Sequence, residues 1–167
     1  MRTNGVGRVG GVLAGVLIAA AAVQAGPVLD RVAAGGKLVV AHRESSIPFS
    51  YLDQEKKPVG YALDLCLKLA EAVRKKTGAK NMQVEFLQVT PANRIAMVEQ
   101  GNADLECGST TNNADRRQKV AFTIPHFITG ARMLVRADSK IERIEDLYGK
   151  KLVSTKGLSL IHISEPT

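Results

Sequence analysis

The chain reads as an α/β protein built on an open, mostly parallel sheet with helices on both faces. Three observations point there. Short apolar runs alternate with stretches of helical period in the order strand, helix, strand, helix, strand. Hydrophobic residues make up 45% and charged residues 23% of 167, the balance of a globular chain rather than a disordered one. The loops that follow three of the strands carry Arg43, Thr90 with Arg94, and Ser109 to Arg116. In open α/β sheets, ligands bind outside the carboxyl ends of the strands. At this length the chain is one domain, or one domain and part of a second.

The elements follow in order. Val28 to Ala34 is a short amphipathic stretch stopped by Gly35-Gly36. Lys37 to His42 is a buried strand, and Arg43 to Ser50 leaves it as a loop. Tyr51 to Gly60 has the form of a hairpin with a polar turn at Asp53 to Lys57. Ala62, Leu65, Cys66, Leu69, Ala70 and Val73 keep the spacing of a helix face, closed by Thr77-Gly78. Met82 to Val89 is a strand, and Thr90-Pro91 supplies the N-cap and first position of a helix running to Gln100, with Gly101 as its stop. Ala103 to Cys107 is the next strand. Lys119 to Thr123, Ala131 to Val135 and Lys151 to Ser154 are expected as further strands, with a short helix at Ile144 to Tyr148.

The run Glu106-Cys107-Gly108-Ser109-Thr110-Thr111-Asn112-Asn113-Ala114-Asp115-Arg116 carries the chemistry. Ser, Thr and Asn cap helices and offer hydrogen-bond donors, and an Arg one turn on adds a planar fork suited to a carboxylate. No nucleophile here has a base beside it, so the run suits holding an anion. By itself it also reads as a polar turn with a solvated Arg. Arg94 falls in the first turn of its helix, where a cation opposes the helix dipole unless an anion is held nearby. It reads equally as an Arg pointing outward.

The formal charge is +7, and +5 without Arg2 and Arg8 of the amino-terminal segment. The basic residues are scattered and Trp is absent, which disfavours a nucleic-acid partner. His42, His126 and His162 lack the spacing of metal ligands, so neither a metal nor a cofactor is expected. Residues 1–25 read as a cleavable signal peptide, with Arg2 and Arg8 ahead of an apolar stretch from Gly11 to Val23 and small residues up to Ala25. Gly5-Val6-Gly7-Arg8-Val9-Gly10 matches a dinucleotide fingerprint only in letters, since no strand precedes it. Cys66 and Cys107 do not make a disulfide framework. Cys66 reads as a small core residue, and Cys107 as another or as one paired outside this chain.

His42 to Ser50, Gly60-Tyr61 before the helix, Asn93-Arg94-Ile95 and Glu106 to Asn113 together closely resemble the glutamate/aspartate-binding periplasmic proteins of ABC transporters, within the type II amino-acid-binding family. The resemblance runs from about Leu29 to Gly157. It implies a periplasmic-binding-protein type II lobe over residues 26–136, with 137–157 as hinge and start of a second lobe. Two such lobes close on a ligand across a hinge. By resemblance, Arg116 takes the ligand α-carboxylate with help from Ser109 and Thr111, and Arg43 and Arg94 take the side-chain carboxylate. The implied protein is a periplasmic monomer that passes L-glutamate or L-aspartate to the membrane subunits of an ABC permease, without catalysis. Pro91 stands where relatives can carry a hydroxyl residue. Leu158 to Thr167 has no family counterpart and resembles translated sequencing-adapter read-through, so residues 158–167 are expected to be non-native and the chain truncated.

Two other readings stand beside this one. An enzyme on the same fold, such as a dehydratase or a lytic-transglycosylase-associated domain, needs a general acid or base, for which Glu44 and Glu106 are the nearby carboxylates. Glu106 reads first as part of its strand. A sensory amino-acid-binding domain needs a membrane-spanning segment after the domain.

Overall fold

The computed structural model describes residues 26–130 and 132–159. The signal peptide expected at 1–25 and most of the expected non-native tail lie outside the described residues.

Helix α1 spans Pro27–Ala33 and opens on a proline, whose fixed φ suits a first helical turn. Strand β1, Leu38–His42, is the centre of a three-stranded parallel sheet between β5, Val84–Gln88, and β6, Leu105–Cys107. The register places His42 opposite both Gln88 and Cys107, so the three carboxyl ends lie in one row. Between β1 and β5 the chain makes a small antiparallel sheet of β2, Ser45–Ser46, β3, Ser50–Leu52, and β4, Pro58–Val59. Asp53 turns β3 into β4 by accepting the Glu55 and Lys57 N–H groups at 2.9 and 2.8 Å.

Alternation along β1 sorts the core into two layers. Leu38 and Val40 pack with Val32 of α1, with Leu63 and Ala70 of helix α2, Tyr61–Thr77, and with Cys107. Ala41 packs on the opposite face with Val89 and Ala103, and Met97 and Val98 of helix α3, Arg94–Glu99, lean on that cluster with Val39. Helices therefore cover both faces, as the sequence implies. Gly60 caps α2 at φ +130, and a Cβ there would meet the Phe49 carbonyl oxygen at 2.5 Å, so the residue before this helix must be glycine. Gly78 closes α2 in the left-handed conformation.

Several expectations are corrected. The helix after β5 begins at Arg94, not after Thr90, because Thr90 and Asn93 bond each other in a separate turn, each N–H to the other's side-chain oxygen at 2.8 and 3.3 Å. Cys66 and Cys107 are not two independent core residues. They form a disulfide with a Cα–Cα distance of 6.3 Å, because α2 crosses directly over β6. The strands expected at Lys119 to Thr123 and Lys151 to Ser154 do not form, and residues 132–135 of the one expected at Ala131 to Val135 are not in a strand either: no ladder among the described residues includes them. A strand is defined by its hydrogen-bonded partner as well as by its own pattern, and Leu134 and Val153 stand fully exposed. Asn113 caps a four-residue helix α4, Ala114–Arg117, which reading by pattern left as loop. The helix expected at Ile144 to Tyr148 is a 3-10 turn over Ile144–Leu147, with Asp146 accepting the Arg143 N–H at 2.9 Å.

Candidate anion-binding cleft

The row of strand ends carries the chemistry. Arg43 directly follows β1 and is buried, and its N–H is held by the fully buried Ser50 hydroxyl at 2.9 Å. Arg94, the first residue of α3, is 1% exposed. An outward, solvated Arg94 is thereby excluded. Glu106 sits on β6 opposite Ala41, and one of its carboxylate oxygens lies 3.9 Å from Arg94 Nη1. That is within ion-pair reach but too long for a hydrogen bond. Gly108 makes room for this arrangement: a Cβ there would lie 2.7 Å from Glu106 Oε1 and 3.2 Å from Arg43 Cγ.

Arg43 Nε, Arg94 Nε, Arg94 Nη1, Glu106 Oε1 and Thr110 Oγ1 are all buried without a hydrogen-bond partner among the described residues. Buried polar groups are paired in most folded proteins, and an unpaired one costs about 1–3 kcal/mol. Such a cluster at strand ends has the character of a binding site awaiting polar atoms. The electrostatics agree. Burial pushes the Arg94 guanidinium down to about 10, against the attraction of Glu106 and with further lowering from Arg116 and Arg43. It remains charged at neutral pH. Burial raises the Glu106 carboxyl above the usual range, opposed by the Thr110 hydroxyl and by Arg94, Arg43 and Arg116.

Arg116 belongs to the same field but is differently held. Its guanidinium donates to the Thr111 carbonyl and to the Gly157 carbonyl, both at 3.0 Å, while its N–H bonds Asn113 Oδ1. Ser109 is exposed, its hydroxyl 3.2 Å from that of Ser46, and Thr111 is exposed too. A cavity of about 410 Å³ is lined by Glu106, Gly108, Ser109, Thr110 and Thr111 together with Phe49 and Phe127. Arg43, Arg94 and Arg116 are not in its lining. Arg116 instead borders a second cavity of about 240 Å³ with Asn113, Asp115 and residues 157–159. The structure thus brings Arg43, Arg94 and Glu106 into one buried cluster, puts Ser109 and Thr111 on the adjoining cavity, and leaves Arg116 on the second cavity.

Sequence reasoning passed over Thr110 and treated Glu106 as a strand residue. The available signal was a carboxylate near the end of an expected strand, two residues before the glycine of a ligand loop. Glu44 is turned away, accepting Gln88 Nε2 at 3.1 Å. His126 is a rim residue whose carbonyl accepts the Tyr61 hydroxyl at 3.2 Å.

Comparison with known proteins gives the family. The model of the bacterial extracellular solute-binding proteins, family 3, matches residues 38–161. The chain is 44% identical over 133 residues to the glutamate/aspartate import solute-binding protein of Salmonella typhimurium, covering 80% of this chain and 44% of that protein. It is 42% identical over 130 residues to the L-glutamate/L-aspartate-binding protein of Pseudomonas aeruginosa, covering 77% and 43% respectively. The chain thus spans somewhat under half the length of these curated relatives. Among solved structures, an ancestral amino-acid-binding protein described as a precursor of cyclohexadienyl dehydratase superposes with a TM-score of 0.62 at 30% identity, over 72% of this chain and 51% of that one. The arginine-bound, truncated arginine-binding protein of T. maritima gives 0.59 at 25% identity, over 71% and 53%. On these matches, the chain belongs to the bacterial extracellular solute-binding proteins of family 3.

Proposed function

We propose that this chain carries the anion-selecting half of the cleft of a periplasmic solute-binding protein, exported by residues 1–25, that takes L-glutamate and L-aspartate and delivers them to the membrane subunits of an ABC importer. Residues 26–136 form its first lobe and 137–157 lead into a second. The observation that carries the reading is Arg94, buried to 1% exposure with two guanidinium nitrogens unpartnered beside a similarly unfilled Arg43. A side-chain carboxylate supplies the missing acceptors, and each charge-assisted bond contributes roughly 1.5–3 kcal/mol. Arg116, with Ser109 and Thr111, takes the α-carboxylate. The names of the relatives at 42–44% identity agree.

The test is calorimetry of the complete gene product with L-glutamate, L-aspartate and L-glutamine. Loss of one charge-assisted bond in Arg94→Ala weakens glutamate roughly 10- to 100-fold, and glutamine much less. No heat with either acidic amino acid would sink the reading. Equal losses for glutamate and glutamine would make Arg94 structural only.

A second reading has two observations in its favour. The Glu106 carboxyl, raised by burial, has the character of a general acid, and an ancestral cyclohexadienyl dehydratase superposes with a TM-score of 0.52 at 25% identity. Against it, no second carboxylate shares the cluster among the described residues. Asp104 is engaged by Arg31 at 2.5 Å, and Glu44 by Gln88. Turnover of a cyclohexadienyl substrate that disappears in Glu106→Gln would establish it.

A further inference from the structure

Glu106 is not explained by the capture of an anion. A carboxylate beside the residues that receive a carboxylate opposes the ligand, and a neutral residue would leave the guanidiniums more attractive. Its setting shows what it does instead. Arg43, Arg94 and Arg116 all act on it electrostatically, and two of these guanidiniums are buried. Burying such charges without a counter-charge is costly. Glu106 supplies one, yet at 3.9 Å from Arg94 Nη1 it does not consume that nitrogen's hydrogen bond, and Arg94 Nη1 and Glu106 Oε1 both stay unpartnered among the described residues. With Glu106 ionised, the four groups carry a net charge of +2 rather than the +3 of the guanidiniums alone.

We propose that Glu106 is the internal counter-ion of the cleft: it balances Arg94 and Arg43 while the cleft is empty, tempers the affinity for an acidic amino acid, and takes up a proton when one binds. The inference rests on the acidic-ligand reading above. Two carboxylates brought into one poorly solvated site cannot both stay ionised at no cost, so the resident one gains a proton as the second arrives. Its carboxyl already lies above the usual range for reasons of burial, which brings that uptake toward neutral pH. The other charged groups nearby are engaged elsewhere. On the β1 side, His42 Nδ1 lies 3.0 Å from the Arg43 carbonyl; just before β6, Asp104 holds Arg31 and the Val39 N–H; beyond β1, Glu44 holds Gln88; and Arg43, Arg94 and Arg116 are the cations that face the carboxyl. As a positioning residue, Glu106 acts through Arg94 and needs no contact with the ligand.

The experiment is calorimetric titration of L-glutamate into the complete gene product, repeated in buffers of different ionisation enthalpy between pH 5 and pH 8, with L-glutamine as the neutral control. The wild-type protein takes up a fraction of a proton per glutamate within this pH range. Glu106→Gln abolishes that uptake, binds glutamate roughly tenfold more tightly near pH 7, and changes glutamine less than about twofold; Glu106→Asp restores the uptake. Unchanged uptake in Glu106→Gln, or a parallel change for both ligands, overturns the proposal. If Glu106→Gln fails to fold, wild-type uptake decides: glutamate binding with none at any pH in the range overturns it. A wild-type protein that binds neither glutamate nor aspartate overturns the acidic-ligand reading and this inference together, whereas binding without uptake removes the counter-ion role alone.

Discussion

Replacing Cys66 and Cys107 by Ala tests how the cleft is held. The bond joins residues 41 apart in sequence and ties the middle of α2 to the last residue of β6, directly before the ligand loop. Treated as a loop of that size, the crosslink removes roughly 13 cal/mol/K of entropy from the unfolded chain, or about 4 kcal/mol at 25 °C. That is a large part of the 5–15 kcal/mol typical of a domain. β6 is only three residues long and Cys107 is 2% exposed, so little else compensates at this point. With a urea m-value of about 2 kcal/mol/M, typical for a small protein, the unfolding midpoint falls by roughly 2 M. Urea titration followed by far-UV circular dichroism, on the oxidised protein and on the double variant, reads this directly. A midpoint shift under about 0.5 M would refute the reasoning. It would mean that the packing of α2 on the sheet, without the bond, carries this region.

Two further outcomes are expected. Arg116→Ala abolishes binding of acidic and neutral amino acids alike, since all of them present an α-carboxylate, and it releases residue 157 from the 3.0 Å contact with its carbonyl; retained glutamate binding in calorimetry would remove Arg116 from the site. Asp104→Ala destabilises the fold by about 1–3 kcal/mol, because the Asp104 carboxylate accepts both the Val39 N–H at 2.8 Å and Arg31 of α1 at 2.5 Å while only 6% exposed; a loss below about 0.5 kcal/mol in urea unfolding would show that water replaces it.

Much of the frame was legible because it is encoded locally. The helical spacing of Ala62, Leu65, Cys66, Leu69 and Val73 announces α2, Gly78 announces its end, and the apolar run of Leu38–His42 announces a buried strand. From those elements follow the parallel sheet and the row of strand ends on which Arg43, Arg94 and Ser109 lie.

What the tertiary structure alone decided is where each side chain finds its environment. Arg94 has the same letter and the same helix position whether it points to solvent or sits at 1% exposure; only the packing of α3 on β1 and β6 chooses. Glu106 lies 12 residues from Arg94 and 63 from Arg43, and its meeting with both depends on the parallel register of β1 and β6. The pairing of Cys66 with Cys107 has the same origin, as does the failure of residues 119–123 and 151–154 to form strands. A residue's own pattern states a readiness to pair or to be buried, but hydrogen-bonded partners, desolvation and neighbouring charge come from distant parts of the chain.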